Sequence, residues 1–347
     1  MKAVGLYRYL PIEDPDSLVD VTIPDPVPGG RDLLVAVRAV SVNPVDVKQR
    51  APKDKVEDLP RILGWDASGV VQDTGPQCTL FKPGDEVYYA GSLTRPGCYS
   101  ELQLVDERIV GRKPESLSFG EAATLPLTTI TAWEALFDRM HIRQSETATG
   151  RSILIVGGAG GVGSIATQLA RTVAGLTVIA TASRPESREW CLAHGADLVI
   201  DHTVDIPAQI RSKGFKFVDY IFCLNSIDEH FPALAEIVAP FGWVCSIVGS
   251  SSTPDIKLLF DKSAGFTWEL MFTRPKYGTE DMIEQHLLLD RVSKLVDAGA
   301  IRATLNHRLS PIDAANLKIA HRMIESGHTI GKIVIERSTR ETRNGNE

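Results

Sequence analysis

The amino-acid sequence predicts an α/β protein in which a doubly wound parallel sheet is inserted into a β-rich domain. Three features carry this reading: short strands broken by proline and glycine over residues 1–125, a regular alternation of strands and helices from residue 126, and a glycine-rich turn after the first strand of that alternation. At 347 residues the chain is long enough for two domains with separate cores.

In the first segment, Leu33–Val40 and Gly69–Val71 read as strands, and Lys82-Pro83-Gly84-Asp85-Glu86 reads as a turn before the strand Val87–Tyr89. Closely spaced strands and turns of this kind suit a compact barrel or sandwich. From residue 126 to 265 the rhythm changes. Ser152–Val156 is a continuous apolar run, as expected of a strand covered on both faces, and Ile165, Leu169 and Val173 follow at helical spacing. Strands at Leu176–Ala180, Leu198–Asp201, Val218–Cys223 and Trp243–Val248 then alternate with helices at Glu186–His194 and Glu229–Val238. Such βαβ units require a parallel sheet. Residues 266–336 hold helices at Glu280–Ala298 and Ile312–Glu325 and a strand at Lys332–Glu336, which break the alternation and are assigned to a return into the first domain. The polar tail, 337–347, reads as disordered.

Composition narrows the function classes. A net charge of −7 gives no overall attraction to polyphosphate and disfavours nucleic acid as a partner. No apolar run is long enough for a membrane span, and Met1-Lys2-Ala3-Val4 leads directly into strand-like sequence without a signal-peptide pattern. Five scattered cysteines, Cys78, Cys98, Cys191, Cys223 and Cys245, fit reduced thiols in a cytoplasmic protein.

The sharpest signal is Gly157-Gly158-Ala159-Gly160-Gly161-Val162-Gly163, which contains G-x-G-x-x-G at Gly158, Gly160 and Gly163. It follows a buried-strand run and opens a helix, the context in which glycines let backbone approach a dinucleotide pyrophosphate at a helix N-terminus. A ligand-free turn would not call for five glycines in seven residues. After the second strand, NAD sites place a carboxylate on the ribose 2′-hydroxyl. Here Ala182-Ser183-Arg184 stands instead, a hydroxyl and a guanidinium suited to a 2′-phosphate, so NADPH is favoured. Ser183 as a mere helix cap is the competing reading.

In order along the chain, Ser41-Val42-Asn43-Pro44-Val45-Asp46, Gly64-Trp65-Asp66-Ala67-Ser68-Gly69-Val70-Val71, Lys82–Val87, Leu125-Pro126, Thr131–Leu136, the glycine turn, Gly195-Ala196-Asp197 and Gly331-Lys332-Ile333-Val334 resemble the medium-chain dehydrogenase/reductase superfamily. The resemblance covers nearly the whole chain and is closest to the zinc-free quinone-oxidoreductase-like branch, which includes bacterial zinc-type alcohol dehydrogenase-like proteins. It implies a GroES-like barrel, a Rossmann domain, an active site in the cleft between them and a homodimer, with an edge strand near Ser246–Lys262 as its seam. It also implies that Asn43 and Thr131 lie near the nicotinamide, that Ile247-Val248-Gly249 flanks its carboxamide, that His202 lies near the adenosine phosphate, and that Lys332 reaches the pyrophosphate or is a solvated strand-edge lysine. We further expect Asp66 to pair with Lys332.

Zinc-dependent relatives carry a Cys/His/Cys catalytic set. In this chain Trp65 replaces the histidine, Leu127 matches the far cysteine, and Asn43 lies in the segment of the near one; no cysteine cluster suits a structural zinc. Without a Lewis acid an isolated ketone is hard to polarise, whereas a conjugated acceptor spreads the arriving charge. The expected activity is therefore hydride transfer from NADPH to a quinone or enone. Reduction of simple aldehydes, or a non-catalytic NADPH-binding structural or regulatory role, stands as the alternative. Asn43 is the candidate catalytic residue, as a hydrogen-bond donor to the developing enolate or to a proton-bearing water, or else only a turn residue before Pro44. Trp65, Tyr89, Phe266 and Trp268 are candidates for an apolar acceptor pocket, or simple core.

Overall fold

The computed structural model describes residues 1–145, 147–252 and 254–338, so residues 339–347 of the tail read as disordered lie outside it. Two compact units emerge: Met1–Leu127 with Phe272–Glu347, and Thr128–Met271.

The first unit opens with β1 (Lys2–Tyr9), β2 (Val19–Thr22), β3 (Asp32–Val42), α1 (Pro44–Arg50), β4 (Lys53–Ile62), β5 (Ala67–Thr74), β6 (Glu86–Tyr89), β7 (Leu102–Asp106), β8 (Val110–Arg112) and α2 (Phe119–Ala123). Strand β3 is its spine. Leu33, Val35, Val37 and Ala39 alternate into the core with the two-residue period of a pleated strand. It pairs antiparallel with β5 and β7, β5 continues to β6, and β6 to β8, while β2, β1 and β4 form a separate three-stranded sheet.

Helix α3 (Pro126–Trp133) begins at the end of the first segment, carries the chain into the second unit and runs into a π-helical turn, Glu134–Arg139. Then come β9 (Ser152–Val156), α4 (Gly161–Thr172), β10 (Thr177–Thr181), α5 (Pro185–Ala193), β11 (Leu198–Ile200), α6 (Ile206–Ser212), β12 (Val218–Cys223), α7 (Ile227–Ile237), β13 (Val238–Ser246) and β14 (Gly265–Trp268). The six strands lie in the order β11-β10-β9-β12-β13-β14, and every neighbouring pair is parallel. All five residues of β9 are buried, which explains its unbroken apolar run. Leu154, Ile179, Ile221 and Val244 of the strands pack with Ile210, Phe231 and Leu234 of the helices in one core. The order reverses between β9 and β12, the switch point beyond whose strand ends doubly wound sheets hold ligands.

The chain re-enters the first unit through α8 (Thr273–Tyr277), α9 (Glu284–Asp297), β15 (Leu305–Leu309), α10 (Ala314–Glu325) and β16 (Lys332–Glu336). Strand β16 pairs antiparallel with β3 and parallel with β15, which ends the seven-stranded sheet. Helix α9 is fixed by Tyr88 Oη donating to Leu289 O at 2.6 Å and by His286 Nδ1 at 2.7 Å from Val110 O.

Among the differences from the sequence reading, which include strand β13 spanning Val238–Ser246 and helix α9 starting at Glu284, two have a clear local cause. The second unit extends to Met271, because Phe266 sits opposite Val244 on an added parallel strand and stays with the sheet. Helix α10 starts at Ala314, since Asp313 caps it by accepting from the Asn316 N–H at 2.8 Å.

The β9–α4 turn yields a direct test. A Cβ on Gly163 would lie 2.4 Å from Gly157 O, a backbone atom that cannot move aside without distorting the turn. Gly163→Ala is expected to lose about 1–3 kcal/mol of stability in thermal or denaturant unfolding; unchanged stability would show that the helix does not need this close approach.

Candidate functional site

The glycine turn divides into two jobs. Gly158 and Gly163 serve packing: a Cβ on Gly158 would meet Ala180 Cβ at 2.7 Å, and Gly163 presses on Gly157. Gly157 itself has φ +88°, a left-handed conformation. Gly160 is different, with no atom closer than 3.6 Å to such a Cβ. It is the N-cap of α4, and Gly160, Gly161 and Val162 are only half-buried, while Ala159 is buried beneath them. The first N–H groups of a twelve-residue helix therefore face accessible space, with the positive end of its dipole, and this cradle fits a pyrophosphate.

At the end of β10, Thr181 Oγ1 accepts from Gly157 N–H at 3.0 Å and locks the turn to the next strand. Ser183 is exposed and Arg184 half-buried. The cap of α5 is Arg184, whose N–H donates to Ser187 Oγ at 3.2 Å, so capping is not the role of Ser183. The sequence reading missed Arg188. It lies one turn beyond Arg184, and its guanidinium donates to Val199 O at 3.1 Å and Ala182 O at 3.4 Å, across the ends of β10 and β11. The signal was the four-residue spacing of two arginines on one helix. His202, just past β11, packs its ring 6.3 Å from that of His230 on α7, and its Nδ1 is buried with no hydrogen-bond partner among the described residues.

The segment Ile247-Val248-Gly249 leaves β13 anchored by Ile247 N–H on Cys223 O at 3.3 Å and by Val248 N–H on Ser246 Oγ at 3.3 Å. A second missed residue, Asp228 on the first turn of α7, holds the serines that continue this segment. Its carboxylate accepts from the Ser251 N–H at 2.7 Å and from the hydroxyls of Ser250, Ser251 and Ser252. Those donors hold its pKa well below the usual carboxylate range. Thr131 is buried on α3.

In the first unit, Asn43, Asp66 and Lys332 meet as expected from the Asp66–Lys332 pairing, but not with the roles expected for Asn43 and Lys332. Lys332 is 3% exposed and its Nζ contacts Asp66 Oδ2 at 3.0 Å, Val42 O at 3.2 Å and Asn43 Oδ1. Those three acceptors match the three protons of an ammonium, so Lys332 has none to give a pyrophosphate and is no solvated lysine. The Asn43 amide is likewise committed, donating from Nδ2 to Asp66 Oδ2 at 3.0 Å and to Ser41 O at 3.3 Å. It cannot donate to an enolate without surrendering a buried contact. Asp66 Oδ1 accepts from Leu127 N–H at 2.9 Å. Burial pushes the Asp66 carboxyl up and the neighbouring ammonium pulls it back. Beside it, burial raises Asp46 to about 7 although it accepts from Asn43 N–H at 2.6 Å.

The proposed pocket aromatics also change. Trp65 is 1% exposed, donates its indole N–H to Ser92 O at 3.0 Å and packs edge-on against Phe272. Tyr89 is equally buried. Phe266 packs edge-on between Phe231 and Trp268 as part of the sheet's core. Only Trp268, 44% exposed on an edge strand, presents a surface.

Residues 29–115 match the family model described as an alcohol dehydrogenase GroES-like domain, and residues 194–335 the one described as a zinc-binding dehydrogenase. The chain is 43% identical over 336 residues to the zinc-type alcohol dehydrogenase-like protein SAV2186 of Staphylococcus aureus, covering 96% of this chain and 99% of that one. It belongs to the medium-chain dehydrogenase/reductase superfamily, in the quinone-oxidoreductase-like branch. This oxidoreductase superfamily member is 53% identical, with a TM-score of 0.92, to a Rhizobium etli CFN 42 protein provisionally named a zinc-dependent alcohol dehydrogenase, over 97% of this chain and 98% of that one. It is 30% identical over 311 residues to the 2-methylene-furan-3-one reductase of Solanum lycopersicum, covering 87% of this chain and 71% of the relative. The family descriptions name zinc, yet this member's residues do not fit it. The catalytic-ligand positions hold a committed indole, a leucine side chain and a committed amide, and no group of three or more His, Cys, Asp or Glu among the described residues could hold a metal. No helix among the described residues is long and apolar enough to cross a membrane.

Lys332→Met, which strands the buried Asp66, is expected to cost about 3–5 kcal/mol of stability, and adding Asp66→Asn to recover much of that. An undiminished melting temperature in the single variant would remove the pair as a structural clamp.

Proposed function

We propose that the chain is a zinc-independent reductase that passes hydride from NADPH to a conjugated carbonyl acceptor, a quinone or an enone. The observation that carries this is the side chains at the zinc-ligand positions: Trp65 hydrogen-bonded to Ser92, Leu127 apolar, and Asn43 locked between Lys332 and Asp66. With no Lewis acid, an acceptor that delocalises its own charge is the tractable one. The enone-reducing name of the tomato relative is consistent with it.

When bound, NADPH supplies the hydride, and this chain's residues fix its position. The N–H groups from Gly160 to Gly163, with Gly158 and Ala159 beneath, take the pyrophosphate. Ser183, Arg184 and Arg188 take the 2′-phosphate, with His202 on the adenosine side. Thr131 and Ile247–Gly249, the latter held through Asp228 and its serines, take the nicotinamide end. Two further parts of the reading have support. The free, mostly buried cysteines suit a cytoplasmic setting, and the open edge of β14, with Phe260 85% exposed nearby, suits a homodimer seam.

Arg184→Ala is expected to weaken NADPH binding about tenfold or more and leave NADH nearly unchanged, measured by fluorescence titration. Equal losses for both would take away the phosphate assignment. In an NADPH-oxidation screen, quinones and enones are expected to outpace saturated aldehydes at least tenfold, with no stoichiometric zinc by elemental analysis. Faster aldehyde turnover would favour the simple-carbonyl reading, tight binding without turnover the non-catalytic one, and bound zinc would overturn the mechanism.

A further inference from the structure

We propose that Glu134 and Glu269 form a positioning pair that shares one proton and braces the nicotinamide end of the second unit. The proposal rests on the proposed cofactor site for what is positioned, not for the pair itself.

Both side chains are buried, Glu134 at 0% and Glu269 at 3% exposure. They come from different elements. Glu134 opens the π-helical turn at the end of α3, and Glu269 follows β14, its N–H donating to Ser246 O at 2.9 Å. Arg139, at the end of the same π turn, donates from Nε to Glu269 Oε2 at 2.9 Å and places its other nitrogen 3.8 Å from Glu134 Oε2. One guanidinium thus serves two carboxyl groups. The remaining oxygen, Glu269 Oε1, is buried and receives no N–H or hydroxyl donor from the described residues. Two ionised carboxylates set on one buried guanidinium offer acceptors only and would leave a charge out of water, a deficit that one shared proton removes. With that proton the set of two acids and one guanidinium is neutral, as burial demands.

Burial first, and the neighbouring Glu134 second, push Glu269 up to about 9, with Arg139 pulling the other way. Among the described residues, the thiol of Cys245 on β13, itself raised by burial, interacts electrostatically with Glu269 and Arg139.

What the pair joins gives it its role. Thr131 lies one helical step before Glu134 on the same helix, and Ile247–Gly249 begin immediately after Ser246, whose carbonyl Glu269 holds. The shared proton therefore ties together the two segments assigned to the nicotinamide. π turns of this kind persist where surrounding contacts hold them.

The sign of the pH effect comes from linkage. The folded protein keeps a proton that an unfolded glutamate releases above its ordinary value of 4.5, so this contribution is complete below that pH and is lost as pH rises to about 9. In Glu269→Gln the amide N–H₂ replaces the shared proton and the amide oxygen still accepts from Arg139. The experiment titrates NADPH from pH 6 to 10 against wild type, Glu269→Gln and Glu269→Leu, and tracks melting temperature and the infrared carbonyl band of a protonated carboxyl. Wild type is expected to lose affinity about fivefold or more between pH 8 and 10, Glu269→Gln to lack that alkaline step and the part of the band that wild type keeps at pH 8, above the value of about 7 for Asp46, and Glu269→Leu to bind weakly throughout. Parallel pH profiles in wild type and Glu269→Gln, or a band at pH 8 that Glu269→Gln leaves unchanged, would overturn the pair. Should NADPH not bind at any pH, the cofactor reading fails instead, and the difference between wild type and Glu269→Gln in that band and in the pH dependence of melting temperature still decides the shared proton.

Discussion

The buried ammonium of Lys332 is the constraint on which the first unit depends. It enters from β16, late in the chain, and reaches three acceptors that come from the start of the chain: Val42 O, Asn43 Oδ1 and Asp66 Oδ2. Asp66 in turn fixes the N–H of Leu127, the last residue before the inserted unit. The first unit, whose sequence is interrupted between Leu127 and Phe272, is thereby stitched from its closing strand to both its beginning and its point of departure. A lone charge so deeply placed would cost several kcal/mol; a complete set of partners makes it a clamp.

That clamp includes Asn43 and Asp66, on either side of Trp65 in the segments that the resemblance matches to those of zinc ligands. Here the cation is saturated by its own chain. A saturated ammonium can organise backbone around itself, but it offers no vacant position to polarise a carbonyl oxygen. The residues that stabilise the unit are therefore the same ones on which the proposed acceptor class rests, and packing is part of that proposal as much as ligand identity.

Much of the fold was legible because its signals are local. A five-residue apolar run, glycines at fixed offsets and a helical period over Ile165 and Leu169 depend on neighbours in sequence, and they located β9, the turn and α4. What was not legible depends on partners far away. Strand β14 looks unremarkable as Gly265–Trp268 and becomes a strand only by pairing with β13. The resemblance set Asn43 and Lys332 beside a cofactor, and only the three-dimensional arrangement shows their donors already taken. Trp65 was a fair pocket candidate until its indole proved to be satisfied by Ser92. Arg188 and Asp228 were the reverse case, ordinary surface residues in sequence that acquire a role from the strand ends and serines they touch.

The two units meet the same electrostatic problem and differ in how far they solve it with backbone. Each buries one cation with two acids: Lys332 with Asp66 and Asp46, Arg139 with Glu134 and Glu269. In the first unit, backbone N–H groups of Asn43 and Leu127 reach the carboxylates, and Asp46 rises only to about 7. In the second, the donor to the Glu269 carboxyl among the described residues is the Arg139 guanidinium, and Glu269 rises to about 9. Hydrogen bonds to the ionised form lower a carboxyl pKa, and burial without them raises it. Burial is the first cause at both groups; the neighbouring Glu134 adds to it at Glu269, whereas the Asn43 N–H and the Lys332 ammonium oppose it at Asp46.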